Sequence, residues 1–171
     1  MQKPPFKKVA SYLIQGIVFM AIAWGISLWQ SKNMLPEKSP APGFKGPTLS
    51  GKMKHLTDAS GKKVVLYFFA PWCTVCKFSS HNIVSIREAL DPADVAIYAV
   101  ALSYQSKKEV ENFAKKHNLN VPVILGSTEL LNAYRINAFP SVYLIDEAGK
   151  IRSRLVGYST EAGIRLRLFF M

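Results

Sequence analysis

Cysteine is nearly absent: 171 residues carry only two, Cys73 and Cys76, three positions apart. Two sulfurs cannot complete a four-ligand structural zinc site, and neither a second cysteine pair nor a His-x-x-x-His follows. A disulfide-stapled scaffold would use more cysteines at wider spacing. The economical reading is a redox dithiol, with an inert local disulfide and a soft-metal pair as the alternatives. Histidine is as sparse, and His55, His81 and His117 show no ligand-type spacing. No metal and no cofactor are therefore expected. Acidic residues number 11 against 22 Lys and Arg, a net charge of +11. No zinc-finger or RNA-binding signature accompanies that charge, and no basic run is interleaved with aromatics, so a nucleic-acid partner is not expected. A mild attraction to anionic lipid headgroups fits better. Internal repeats and low-complexity tracts are also missing.

Charge disappears altogether from Val9 to Ser31, VASYLIQGIVFMAIAWGISLWQS. A helix of that length spans a bilayer core, with Trp24 and Trp29 toward the far interface. Lys3, Lys7 and Lys8 precede it and only Lys32 follows closely, which keeps the N-terminus in the cytoplasm and exports the rest. Ala21-Ile22-Ala23 resembles a signal-peptide cleavage site, but the apolar run continues through Trp24, Ile26, Leu28 and Trp29, favouring an uncleaved anchor. No cysteine follows the segment directly, which excludes a lipoprotein. Residues 1–31 are expected as cytoplasmic flank and transmembrane anchor, 32–46 as a Pro/Gly-rich linker, and 47–171 as the working domain. Pro36, Pro40, Pro42, Gly43 and Gly46 bar a helix or central strand from the linker.

Within the domain, Met53–Leu56 reads as a short strand and Gly61 as a turn. VVLYFFA (64–70) is a continuous apolar run, the pattern of a strand buried on both faces, and Pro71 ends it. A helix is expected from Cys73 to about Leu90, with Val75, Phe78, Ile83, Ile86 and Leu90 as its apolar positions. Val95–Leu102 reads as a second buried strand. Ser106–His117 is an amphipathic helix opened by the capping box Ser106-Lys107-Lys108-Glu109. Val121–Leu125 is a strand and Thr128–Tyr134 a short helix. Ser141–Asp146 and Lys150–Val156 form a hairpin around Glu147-Ala148-Gly149, and Ile164–Phe170 is the last helix. Strands alternating with helices, then a hairpin, predict an α/β sandwich with a mixed central sheet.

The cysteine pair sits where a buried strand hands over to a helix. Unpaired backbone N–H groups and the positive end of the helix dipole favour a thiolate at Cys73. Cys76 lies one turn further in, able to close the disulfide. Exchange through a mixed disulfide then needs no cofactor. Thr74-Val75 between the sulfurs supplies no His or basic residue, which argues against a very strong oxidant. Phe139-Pro140-Ser141 is the second feature, read most simply as a turn before a strand. His81 lies five residues beyond Cys76, a poor helical spacing for facing it. Tyr67 reads as core packing.

YFFAPWCTVCK (67–77) followed by FPSVYLIDEAGKI (139–151) resembles the thioredoxin-like superfamily. The segment Val95–Leu125, ending in VPVIL, is similar to the insertion of the membrane-anchored TlpA/ResA branch. The Thr-Val dipeptide, the anchor and the ending GIRLRLFF (163–170) look closest to suppressor-of-copper-sensitivity D proteins. The resemblance covers about residues 40–171. It implies thiol–disulfide oxidoreductase activity at a bacterial inner membrane, single-pass, with the C-terminal domain in the periplasm. Cys73 would attack, Cys76 resolve, and Pro140 stand in cis beside them, with Trp72 and Phe139 docking the substrate. Exported protein thiols and disulfides, and a membrane or periplasmic redox partner, are the implied partners. Two positions depart from the family pattern. Tyr67 stands where many thioredoxins carry a buried Asp, and Ser79 where TlpA/ResA reductases often carry a Glu, which leaves the direction of electron transfer open. A copper(I)-binding module using the same sulfurs is the alternative, since soft thiolates suit that ion.

Overall fold

The computed structural model describes residues 6–32 and 34–171, apart from the side chains of 6–9, 23, 24 and 26–32. Helix α1 (Phe6–Lys32) covers the uncharged stretch. Its described apolar side chains lie in the open, from Tyr12 through Phe19 to Ile22. Among the described residues, no helix is long and apolar enough to cross a membrane. The span expected at 9–31 lies partly outside the described side chains, at 9, 23, 24 and 26–31.

The frame of the domain is a five-stranded mixed sheet. Strand β3 (Lys63–Phe69) lies at its centre, parallel to β4 (Val95–Ala101) and antiparallel to β6 (Ser141–Ile145). Outside them run β5 (Val123–Leu125), parallel to β4, and β7 (Ile151–Val156), antiparallel to β6. The unbroken apolar run of β3 now has its reason. Val65, Tyr67 and Phe69 enter one core, while Val64, Leu66 and Phe68 enter the other. Helices α2 (Thr74–Ala89), α3 (Lys107–Lys116) and α5 (Glu161–Phe169) supply Ile83, Ile86, Val110, Phe113, Ile164 and Leu168 to the first core. The short α4 (Thr128–Ala133) brings Leu130 to the second, beside Tyr134 and Tyr143.

Local signals set the helix starts. Ser106 accepts the Glu109 amide, as the capping box requires, but the Glu109 carboxylate takes the amide of Gln105 rather than that of Ser106. Helix α5 begins three residues earlier than its apolar pattern indicates, because Thr160 caps it through the Gly163 amide. In the β6–β7 turn, Gly149 takes φ +75°, the left-handed region expected of it.

The stretch read as a linker does not hang free. Met34 and Phe44 are buried in the second core. Arg154 donates to the carbonyls of Met34 and Leu35, at 3.0 and 2.8 Å, and Leu35 N–H donates to the Tyr143 hydroxyl. Lys38 and Ser39 then exchange backbone hydrogen bonds with Ile151 at the start of β7, and the Tyr134 hydroxyl donates to the Pro42 carbonyl at 2.7 Å. Beyond β1 (Lys45–Pro47), which pairs with β2 (Met53–His55), Leu49 N–H donates to the Val123 carbonyl of β5. Proline and glycine keep this segment out of regular structure. Two apolar anchors and its own carbonyls fix it all the same.

Candidate functional site

Strand β3 delivers the chain to Ala70-Pro71, and Cys73 then caps α2 instead of forming its first residue. Its backbone is extended (φ −73°, ψ 117°), and its Sγ accepts the Cys76 N–H at 3.1 Å. One of the free amides of the helix start is thus spent on the sulfur itself. Cys73 and Cys76 are joined as a disulfide, with Cα atoms 5.2 Å apart. Cys76 is completely buried, whereas Cys73 keeps 7% of its surface exposed. Of the two sulfurs, only that of Cys73 belongs to a residue a partner can touch.

The loop before β6 closes on the same spot. Phe139–Pro140 is a cis peptide, and the Phe139 carbonyl lies 3.6 Å from Cys73 Sγ. Trp72 stands edge-on to Phe139, ring centroids 5.9 Å apart, and its indole N–H donates to the Ser103 carbonyl at 2.9 Å. Trp72 is itself 60% exposed. All five residues singled out in the sequence, Trp72, Cys73, Cys76, Phe139 and Pro140, therefore converge.

Two further groups belong to this place. Val75 and Phe78, read as apolar positions of α2, are exposed in the turns that carry the cysteines. The buried positions of α2 are Cys76, Ser79, Ser80, Ile83 and Ile86, a helical stripe that Phe78 faces away from and Val75 borders in the first turn. Counting from Cys76 would have found Phe78. The second group lies beneath the pair. The Tyr67 hydroxyl is 3.0 Å from the Cys76 carbonyl and 2.8 Å from Ser79 Oγ, all of it buried. Burial pushes the Tyr67 phenol well above its ordinary range. His81 meets the edge of His117, with ring centroids 5.9 Å apart. Among the described residues no group of three or more His, Cys, Asp or Glu converges as a metal site would require.

The AhpC/TSA family model matches residues 38–154. The chain belongs to that family. It is 32% identical over 164 residues to the thiol-disulfide oxidoreductase ResA of Bacillus subtilis, covering 92% of this chain and 91% of that protein. It is 31% identical to the thioredoxin-like protein YneN of the same organism, over 85% and 87% of the two chains. The crystal structure of Bacillus subtilis StoA superposes with a TM-score of 0.66 at 28% identity, over 77% of this chain and 98% of that one. The thioredoxin-like fold and the ResA-like branch expected from the motifs are both met.

Proposed function

We propose that this protein is a membrane-anchored thiol–disulfide oxidoreductase that faces the periplasm and exchanges disulfides with exported proteins. Thiol–disulfide exchange is the activity of the chain; its setting and its substrates are the proposal. The observation that carries it is the placement of Cys73, capping α2, in contact with the Cys76 amide and next to the Phe139 carbonyl, with Cys76 sealed behind it.

In the reduced pair, the amides at the start of α2 favour a Cys73 thiolate. That thiolate attacks a substrate disulfide, one substrate sulfur leaves, and a mixed disulfide forms at Cys73. Cys76 then attacks Cys73 and releases the second substrate sulfur. The reverse sequence oxidises a substrate dithiol. Phe139 offers its backbone to an extended substrate segment as an added strand would, and Trp72, Val75 and Phe78 supply apolar contact around the sulfur. The exposed apolar side chains of α1, with no protein partner among the described residues, support the anchor. The basic N-terminal flank supports its orientation.

The test is exchange itself. The reduced full chain, in detergent or vesicles, should reduce a disulfide-bonded protein, and Cys73→Ser should abolish this. Stoichiometric Cu(I) binding without any exchange would favour the copper-binding alternative. The reduction potential sets the direction: roughly −270 mV marks a reductant and roughly −120 mV an oxidant.

A further inference from the structure

The resolving half of the cycle asks something specific of Cys76. A thiol that is completely buried must reach Cys73 and lose its proton inside the first core. Charge is not available to assist it there. The buried polar residues are Thr48, Ser79, Ser80, His117 and Ser141, so no Asp or Glu is buried among the described residues. The polar side chains tied to Cys76 are two hydroxyls.

Their geometry is closed. The Tyr67 hydroxyl reaches the Cys76 carbonyl (3.0 Å) and Ser79 Oγ (2.8 Å), and Ser79 Oγ reaches the same carbonyl (3.3 Å). Three contacts are shared by two hydroxyl protons. One hydroxyl donates to the carbonyl while the other donates to its neighbour, and the exchange of roles leaves no polar atom unpaired. Tyr67 sits on β3, at the centre of the sheet, and stacks on Phe69 at 5.7 Å. Cys76 and Ser79 sit on α2. The network therefore fastens the first turn of α2, through the backbone of the resolving cysteine, to the central strand of the sheet.

We infer that Tyr67 and Ser79 are positioning residues for the resolving step, holding Cys76 by its carbonyl through an uncharged hydroxyl pair, so that resolution depends on pH only through the thiols. The inference rests on the exchange reading above. In the step it concerns, Cys76 Sγ attacks Cys73 Sγ, the Cys73–Cys76 bond forms, and the bond from Cys73 to the substrate sulfur breaks. The substrate sulfur leaves with the electron pair, reduced, as the cysteine pair is oxidised. The Cys76 proton passes through water to solvent or to the departing sulfur. A carboxylate in place of Ser79 would add a second charge that varies with pH. Hydroxyls fix the geometry and add none.

The experiment uses the reduced full chain and dithiobis(nitrobenzoate), whose released thiolate absorbs visible light. Attack by Cys73 releases the first thiolate, and resolution by Cys76 releases the second. Tyr67→Phe should slow the second phase about tenfold, the worth of one buried hydrogen bond, with the first phase unchanged. The pH midpoint of the second phase should stay where it is. Ser79→Ala should act in the same direction and more weakly, with the double variant no slower than Tyr67→Phe. Ser79→Glu should introduce a new inflection on the acid side. If both single variants resolve at the wild-type rate, the pair is structural only and the inference is overturned. A midpoint displaced by Tyr67→Phe overturns it too, by making Tyr67 a proton carrier. A wild-type chain that releases no thiolate fails the exchange reading instead. Circular dichroism of each variant shows whether it is folded, and Ser79→Ala carries the test should Tyr67→Phe not fold.

Discussion

The backbone N–H of Cys76 points at the Sγ of Cys73 from 3.1 Å. The fully buried cysteine thus donates to the one that keeps some access, and the donation is strongest when the acceptor is a thiolate. Removing the Cys76 sulfur while keeping its backbone leaves the nucleophile intact and blocks only its release. Cys76→Ser should accumulate mixed disulfides through Cys73, and Cys73→Ser none. Non-reducing gels followed by mass spectrometry of the trapped adducts would decide the matter.

Trp72 touches the site from outside, packed on Phe139 and tied to the Ser103 carbonyl. A small dithiol does not need that surface, whereas a protein partner does. Trp72→Ala should slow exchange with a protein substrate about tenfold, the range of an interface anchor, and leave the rate with dithiothreitol nearly unchanged. Equal losses with both substrates would mean that the ring serves only to shape the loop.

His117 links pH to stability. Burial, then the neighbouring His81, Lys116 and Lys77, hold its imidazole below the ordinary 6.5. The unfolded chain therefore binds a proton more readily than the folded one. Its contribution is fully present above pH 6.5 and is lost as the pH falls through the lowered folded value. The melting temperature should be flat near neutrality and decline below that point. His117→Gln should flatten the decline.

Met34 and Tyr143 anchor the segment that precedes the sheet. Met34→Ala empties a buried site and should cost about 2–5 kcal/mol. Tyr143→Phe breaks the contacts to the Leu35 amide and the Tyr134 carbonyl, at about 1–3 kcal/mol. Denaturant unfolding gives both values, and amide exchange at residues 34–42 should rise in each variant.

The chemistry was legible because it is local. Cys73-Thr74-Val75-Cys76 after a buried strand, and Pro140 before another, are patterns of neighbours in the chain, and both ended at one site. The sheet was legible for the same reason, since β3 and β4 announce themselves by unbroken apolar runs. What escaped depends on distant partners. Residues 34–46 look like a tether by composition, and distant partners such as Arg154, Tyr134, Tyr143 and Ile151 hold them against the sheet. The Tyr67–Ser79 contact joins two positions noted separately as departures from a family pattern; no spacing rule relates a strand residue to a helix residue nine or twelve places on.

The path of that N-terminal segment also bears on solubility. A sheet of five strands has two outer borders, each a row of unpaired amides and carbonyls that can recruit strands from other molecules. Residues 38–41 lie along the start of β7 and residues 48–49 along β5, so one stretch of chain blunts both borders. A chain begun at Met53 would keep both cysteines and every strand of the main sheet. It should polymerise edge to edge, and restoring residues 34–52 should suppress this.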